Sequence, residues 1–314
     1  MDTLTKNHAQ SAAALAFLYT ESPLHVGSGA GLGAIDLPIQ RERITRLPVV
    51  PGSGLKGALR EAADERLEDH DVRALFGKPP PKAGESQSGD DYAGAINLAD
   101  ARLLLFPMRS ARGGWAWLTA HLCLERLARD LEVYGGTLPA LPSRPTSGQV
   151  FVSTQSTVLA GSGNVLLEDL EFRATPSGEL DALATWLEGA LPGLKSYDAY
   201  RERLRGQLVL MEDSDFTELA ERCTEVATRV RLDPETRTVM KGALWTEESL
   251  PAESLLWSLA QVSRARRPDD KRGHTEMLGR LTALSQALTR LRLGGDQTTG
   301  RGLVGLRLWA GGEG

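Results

Sequence analysis

The sequence is poor in several features, and each shortage excludes a class of protein. Its 314 residues include only two cysteines, Cys123 and Cys223, which make neither a disulfide framework nor a cysteine metal site. The longest apolar stretch near the start, 12–19, is far shorter than the ~20 residues that span a bilayer. No small-residue cleavage site follows it. We therefore expect a cytoplasmic protein with no signal peptide and no membrane partner, in a reducing compartment.

The chain also lacks an excess of positive charge, because 41 acidic residues outnumber 36 basic ones and the formal net charge is −5. This value argues against a generic nucleic-acid binder, a class that is often strongly basic. Binding through a local patch stays possible, since charges are screened beyond ~8 Å in physiological salt. Glycine, with 33 residues, is abundant, and it indicates many loops or places where the backbone approaches another group closely.

The hydrophobic pattern predicts an α+β fold with an antiparallel sheet, because strands and helices mix without a regular βαβ repeat. We expect residues 1–314 to form a single domain with a mobile insertion at 77–95, which is rich in proline, glycine and serine. The other predicted elements are a strand at 13–19, a hairpin at 229–247 with the turn PETR, and helices at 53–67, 252–264 and 276–288.

Cations are concentrated in one segment of this acidic protein. Between residues 39 and 60, the single acid Glu42 stands among five basic residues: Arg41, Arg43, Arg46, Lys56 and Arg60. Such a patch suits contacts to a polyanion backbone, because neutralised phosphates release counterions. A solvated face with local ion pairing is the alternative.

The heptapeptide PGSGLKG at 51–57 stands at a predicted helix start, where free N–H groups and the helix dipole favour phosphate. The spacing of a P-loop is absent, so nucleotide hydrolysis is not supported. A capped helix with glycines for close packing is the alternative.

Three further features are candidates for chemistry or binding. Asp36, alone in a glycine-rich loop beside basic residues, can hold a divalent cation or transfer a proton in phosphodiester cleavage, although capping a turn is the commoner use of such an aspartate. His25 is either a base or a packing residue. The loop GGDQTTGRG at 294–302 has four glycines and Arg301, which suit either close approach to a nucleic-acid strand or a permissive turn.

Six stretches together resemble the RAMP superfamily of CRISPR proteins, and within it the repeated backbone subunit of the type III-B (Cmr) effector. These stretches occur in the expected order along nearly the whole chain: HVGSG (25–29), IDLPIQRERIT (35–45), PVVPGSGLKGALR (48–60), LLFPMRS (104–110), GALWTEESLP (242–251) and GGDQTTGRG (294–302). The combination of the second and third is the most specific, whereas the last is shared by many RAMP proteins.

The resemblance implies a ferredoxin-like or RRM-like palm with inserted subdomains and a protruding β-hairpin thumb. The hairpin at 229–247 is our candidate for the thumb, and the insertion at 141–170 is the rival. The resemblance also implies that copies of the chain form a filament along a CRISPR guide RNA, together with other Cmr subunits. In this family each copy cuts the complementary single-stranded target RNA once, and a divalent metal, Mg²⁺ or Mn²⁺, is needed.

The resemblance also assigns roles to residues. It makes Asp36 the catalytic aspartate and metal ligand, with auxiliary roles for Glu247 and Glu248, and we retain His25 as a catalytic candidate. Expected RNA contacts are Arg41, Arg43, Arg46, Ser53, Lys56, Arg60, Gly294, Gly295 and Arg301. The chain departs from the family pattern at Ile44, where relatives often have His, at Arg46, where they often have Gly, and at Gly54, where a second serine is frequent.

Three other functions stay open from the sequence. A non-catalytic RNA-binding scaffold of the same fold has no need of Asp36 beside a scissile phosphate. A guide-processing endonuclease acting alone would use His25 as its base. The type III-A counterpart of this subunit is the nearest neighbour, and the stretch IDLPIQRE favours type III-B.

Overall fold

A large mixed sheet, with helices packed on it, forms the body of the protein. The computed structural model describes residues 11–31, 33–78, 92–133, 135–161, 163–288 and 290–310. Most of the insertion expected at 77–95 therefore lies outside the described residues. Within these ranges, every helix is too short or too polar to cross a bilayer.

The described residues contain the following elements. The strands are β1 (Ser11–Thr20), β2 (Val49–Val50), β3 (Ile96–Leu98), β4 (Ala101–Ser110), β5 (Gly114–Ala120), β6 (Gln149–Ser153), β7 (Asn164–Leu167), β8 (Leu170–Ser177), β9 (Leu208–Met211), β10 (Glu225–Leu232), β11 (Val239–Ser249), β12 (Leu255–Ser263), β13 (Arg290–Arg292) and β14 (Leu303–Ala310). The α-helices are α1 (Gly52–Asp64), α2 (Asp69–Phe76), α3 (His121–Glu132), α4 (Gly178–Leu187), α5 (Asp198–Gln207), α6 (Asp213–Arg222) and α7 (His274–Ala287).

The first half of the sheet is antiparallel and has the order β14-β1-β12-β4. Strand β1 is buried from Ala14 onward and lies between the other central strands, so that Leu15 faces both Leu259 and Trp309. Helices α1 and α7 follow β1 and β12 along the chain, and α7 packs on the sheet. This half confirms the predicted mixed α+β class with an antiparallel sheet.

The helix predicted at 252–264 is wrong, because β12 occupies this segment. Its sequence LLWSLAQVS is buried over most of its length, from Leu255 to Ser258 without interruption. A strand buried on both faces carries a continuous apolar run, and periodicity alone does not distinguish such a run from a buried helix.

The second half of the sheet has the order β4-β5-β9-β6-β8-β7, and β7 returns to β4 through the pair Ser110 and Leu167. These strands therefore form a ring. The segment 141–170, the rival candidate for a thumb, contributes β6 and β7 to this ring and so does not protrude as a separate hairpin.

Strands β10 and β11 form a separate two-stranded hairpin that is somewhat longer than the predicted span 229–247. Thr228 pairs with Thr246, and Val230 with Leu244. The turn is fixed by Asp233, whose Oδ1 accepts hydrogen bonds from two backbone N–H groups. Toward its tip the hairpin stands in solvent, since Leu244 is 63% exposed.

A half-buried acid lies in the turn between this hairpin and β12. Glu253 has a positive φ of 70°, and its carboxyl accepts a hydrogen bond from the Tyr19 hydroxyl. The indole of Trp117 donates to the Glu253 carbonyl over 2.7 Å. Burial raises the pKa of Glu253 to about 7.

The raised pKa predicts a pH dependence of stability. Between pH 4.5, the ordinary pKa of this side chain, and about 7, the folded protein keeps a proton that the unfolded chain has lost. The free energy of unfolding therefore falls as pH rises through this interval. We expect Glu253→Gln, which stays neutral, to remove that fall and to stabilise the protein by about 1–3 kcal/mol at pH 8.

Urea denaturation at pH 5 and pH 8 measures this difference. Glu179→Gln, at an exposed acid whose pKa is lowered instead, is the control. An unchanged pH dependence in Glu253→Gln would contradict a raised pKa of Glu253 in the folded protein.

Candidate active site

The glycine-rich loop between β1 and β2 is fixed along one edge of the hairpin. Leu37 donates its N–H to the Thr246 carbonyl over 3.0 Å, and its own carbonyl accepts the N–H of Glu248 over 3.0 Å. Residues 36–39 thus run beside β11, parallel to it, while β10 occupies the other edge. The loop has no regular period in the sequence because its partner lies about two hundred residues further along the chain.

Asp36 is placed by Thr246. The Thr246 N–H donates to Asp36 Oδ2 over 2.7 Å, and the Thr246 hydroxyl donates to the same oxygen over 2.9 Å. The Asp36 N–H is 2.9 Å from the Thr246 hydroxyl oxygen. Despite these contacts Asp36 is exposed to solvent.

The hydrogen bonds from Thr246, first from its backbone and then from its hydroxyl, hold the pKa of Asp36 below its usual value. The side chain is therefore an anion at neutral pH. An anionic carboxylate binds a cation or accepts a proton, whereas it is a poor proton donor. Of the two roles expected from the sequence, the geometry favours the metal ligand over the acid.

The residues around Asp36 fit a metal only in part. The described portion of the chain holds no group of three or more His, Cys, Asp or Glu side chains that could hold a metal ion. Both hydrogen bonds from Thr246 to the Asp36 carboxylate go to Oδ2, which leaves Oδ1 without a bond from Thr246. Mg²⁺ is commonly held by one or two carboxylates together with substrate phosphates and water, so this donor set fits a metal completed by RNA.

Glu248 lies in the interior, with a side chain only 3% exposed. It accepts hydrogen bonds from the Arg41 guanidinium, from the Thr224 hydroxyl and from the Ile39 N–H. Burial acts to raise its pKa, but these hydrogen bonds outweigh burial and hold the pKa below its usual value. Glu248 is thus a buried anion that fixes the loop to the hairpin base.

Arg41 is placed differently from the RNA contact expected from the sequence. Its side chain is 6% exposed. Besides Glu248, its guanidinium donates to the carbonyls of Arg46, over 2.8 Å, and of Glu221, over 3.0 Å. The latter carbonyl belongs to the C-terminal turn of α6, where a cation is favourable. We therefore assign Arg41 to holding the loop, in place of a phosphate contact.

Glu247 and Arg301 form a second buried link. Glu247 is 3% exposed, and its Oε1 lies 3.4 Å from Arg301 Nε and 3.7 Å from Arg229 Nη2, with no hydrogen-bond partner within the described residues. Arg301 also donates to the Ser249 hydroxyl. This pair joins the hairpin base to the glycine loop at 294–302, so Arg301 faces the interior instead of an RNA strand.

His25 connects the loop between β1 and β2, on which it lies, to the base of the hairpin and to the glycine loop at 294–302. Its Nδ1 is 2.6 Å from the Glu248 carbonyl, which can only accept, so Nδ1 carries a proton and Nε2 is the nitrogen left for other chemistry. The His25 carbonyl accepts the N–H of Gly295 over 2.8 Å. Gly294 has a φ of 80°, and a Cβ there would lie 2.4 Å from this carbonyl. Glycine is therefore required at position 294, and Gly295 packs closely against the His25 ring.

The remaining candidates lie on two exposed surfaces. On α1, Ser53 and Gly54 are exposed at a helix start with no acid in its own first turn, although the Gly52 N–H donates to Asp100 Oδ1 over 2.8 Å. Lys56 donates to the Ile96 carbonyl over 2.9 Å, and Arg60 is half-buried. On the turn at 42–46, the exposed side chains are Arg43, Ile44 and Arg46, of which Arg46 pairs with Glu221 over 3.1 Å and has a φ of 60°. Glycine adopts that left-handed conformation more readily than arginine does.

Thr246, Thr224 and Arg229 are the site residues that the sequence did not reveal. Thr246 belongs to the stretch GALWTEESLP, but nothing in that stretch distinguishes it from any other strand threonine. Only the pairing of the loop with β11 brings its hydroxyl to Asp36.

Comparisons with known proteins agree with this fold. The model of the RAMP superfamily matches residues 17–305, and the chain therefore belongs to that superfamily. It is 34% identical to the Pyrococcus furiosus protein "CRISPR system Cmr endoribonuclease Cmr4", across 93% of this chain and 94% of the relative. It is 26% identical to "CRISPR system CMR subunit Cmr4" of Saccharolobus solfataricus, with the same coverage of both chains. The resemblance predicted from the sequence is thereby confirmed.

Solved structures extend the comparison. Oligomeric Cmr4 from Pyrococcus furiosus superposes with a TM-score of 0.71 at 26% identity, over 95% of this chain and 98% of that one. A chain of the type III-B Cmr-beta complex bound to cognate target RNA superposes with a TM-score of 0.73 at 19% identity, over 95% and 98% of the two chains, and shows the same fold.

The reassignment of Arg41 predicts a stability effect. Arg41→Ala leaves the buried Glu248 carboxylate without its cation, and we expect a loss of about 3 kcal/mol in the free energy of unfolding. Arg43→Ala, two residues away and exposed, is the matched control and should change it by less than about 0.5 kcal/mol. Urea denaturation compares the two variants, and equal, small effects would mean that Arg41 is not part of the interior.

Proposed function

We propose that the chain is a backbone subunit of a type III-B CRISPR effector. In this role it binds guide RNA as a filament of copies and cleaves complementary single-stranded target RNA. The observation that carries the proposal is Asp36, an exposed anion held by Thr246 on a loop that is itself fixed to the hairpin. The identity to the Cmr endoribonuclease of Pyrococcus furiosus over nearly the whole chain supports it.

The fold suits this function. The order β14-β1-β12-β4, with α1 after β1 and α7 after β12, is that of a ferredoxin-like palm. The hairpin Glu225–Ser249 is the thumb, and its base carries Asp36. Movement of the hairpin relative to the palm would therefore carry the catalytic loop with it.

The chemistry follows from the charge of Asp36. A ribose 2′-OH freed from the helical stack attacks the adjacent phosphate in line and forms a 2′,3′-cyclic phosphate, while the bond from phosphorus to the 5′-oxygen breaks. The 2′-hydroxyl gives its proton to water, the leaving 5′-oxygen takes one from water, and negative charge develops on the phosphate oxygens between these events. A divalent cation, Mg²⁺ or Mn²⁺, would neutralise that charge when bound by Asp36 and the phosphate. Thr246 orients the carboxylate and keeps it ionised. His25 and Glu247 line the same base of the hairpin, where Glu247 positions Arg301.

Sequence recognition needs no base contact from this chain. Pairing of the target with the guide supplies it, as in other RNA-guided systems. The chain contributes backbone contacts, for which Lys56, Arg60 and the free N–H groups at Ser53 and Gly54 are placed along the start of α1. Arg43 adds an exposed cation on the neighbouring turn.

The central test is Asp36→Asn in the assembled complex. We expect guide and target binding to stay within about twofold of wild type, while target cleavage falls at least ~100-fold because the anion is lost. Asp181→Asn is the matched control, since Asp181 also accepts hydrogen bonds from a threonine and lies elsewhere, in the first turn of α4. Cleavage at the wild-type rate by Asp36→Asn would leave only a scaffold function.

A second test concerns the positioning of Asp36. Thr246→Val removes the hydroxyl that donates to Asp36 but keeps the shape and the backbone N–H. The pKa of Asp36 should rise toward its usual value, so the acid limb of the pH–rate profile should move to higher pH. At neutral pH the carboxylate stays ionised, and the rate there should fall about tenfold because the carboxylate loses its fixed orientation.

Thr246→Ser should restore the wild-type profile. Thr228→Val, at the cross-strand partner of Thr246, is the matched control and should leave the profile in place. A uniform loss of rate with no displacement of the acid limb would argue that Thr246 does not act through Asp36.

A further inference from the structure

The loop between β12 and α7 carries a concentration of cations that the sequence analysis did not single out. Residues 264–272 contain two acids, Asp269 and Asp270, and five basic residues: Arg264, Arg266, Arg267, Lys271 and Arg272. Arg264, Arg266, Arg267 and Lys271 are exposed.

The loop is held in place by buried ion pairs. Arg272 donates to Asp71 of α2 and lies 2.6 Å from Asp270. Asp71 is itself buried, and Arg280 of α7 approaches it to 3.3 Å. The loop is therefore attached to both α2 and α7, and its exposed cations project from a fixed frame.

One end of this loop lies beside Lys56 of α1. The Ile96 carbonyl, which accepts the Lys56 ammonium, belongs to β3, and Ile96 pairs with Val262 at the end of β12. The next residue is Ser263, whose N–H donates to the Ala95 carbonyl. Its hydroxyl oxygen accepts a hydrogen bond from Arg266 Nε over 3.3 Å. Arg266 is thus brought to the same edge as Lys56.

Three basic side chains lie at this edge, and none of them is paired with a carboxylate of the described residues. Across the described ranges, Lys56, Arg60 and Arg266 form no ion pair with a carboxylate. Burial lowers the pKa of Lys56, and the charges of Arg266 and Arg60 lower it further. Such mutual repulsion is relieved by an anion placed among the three groups, and a phosphate offers several oxygens to them at once.

We propose that Arg266, together with Lys56 and Arg60, holds one phosphate of the RNA strand that runs along α1. The inference deepens the proposed RNA binding and rests on it. The contact is to the sugar–phosphate backbone and is independent of base sequence.

The first test is RNA affinity as a function of salt. In Arg266→Glu, the affinity for a single-stranded RNA of about 40 nucleotides should fall at least tenfold, and the slope of log K against log salt should decrease by about one. Arg267→Glu makes the same charge change on the same loop, but Arg267 pairs with Asp269 over 2.6 Å, so its loss should stay below about threefold. Equal losses in the two variants would show an effect of net charge alone and overturn the proposal.

The second test asks whether Arg266 and Lys56 share a phosphate. In a double-mutant cycle of Lys56→Gln and Arg266→Gln, a shared phosphate makes the combined loss smaller than the product of the single losses. Strictly multiplicative losses would overturn the shared contact. A third outcome separates this inference from the proposed function. If Lys56→Glu loses RNA affinity while Arg266→Glu and Arg267→Glu lose equally little, the phosphate contact of Arg266 is refuted and the RNA surface on α1 stands. Wild-type affinity in all these variants would refute both.

Discussion

The pairing of residues 36–39 with the edge of β11 is the constraint on which the candidate site depends. Without it the glycine-rich loop has no regular partner, and Asp36 has no fixed position. With it, two backbone hydrogen bonds of Leu37 set the register, and that register brings Thr246 to the Asp36 carboxylate. A shift by one residue would turn Asp36 to the opposite face of the strand. The site is therefore defined by a strand pairing and only secondarily by its side chains.

Buried ion pairs secure this register. Arg41 with Glu248, and Arg301 with Glu247, join the loop, the hairpin base and the C-terminal glycine loop. Buried pairs contribute little net stability, because the desolvation of both charges offsets their attraction. Their effect is on geometry: each pair has one arrangement in which both charges are compensated. The ion pairs thereby restrict the loop to one position. They do so at a desolvation cost that an apolar contact does not have.

The sequence predicts those parts of the molecule whose signals are local. The strand at 13–19, the helix at 276–288 and the hairpin are all found, because their periodicity and turn residues lie within each segment. The strand β12 is missed because its burial comes from both neighbours in the sheet. Arg41 was grouped with Arg43 since both are cations of one segment, and only the tertiary structure shows that the first is interior and the second exposed.

The same distinction resolves how an acidic protein can present a surface for RNA. Arg41 and Arg301 compensate interior carboxylates and contribute little field outside the protein. Lys56, Arg60 and Arg266 have no carboxylate partner among the described residues, so their charge is available to a phosphate. In the proposed function, Asp36 adds a negative charge beside the scissile phosphate, which is unfavourable by itself. Binding of the RNA strand at Asp36 therefore needs nearby cations, which the surface of α1 and any metal held by Asp36 would supply. The net charge of the chain measures neither of these local charges.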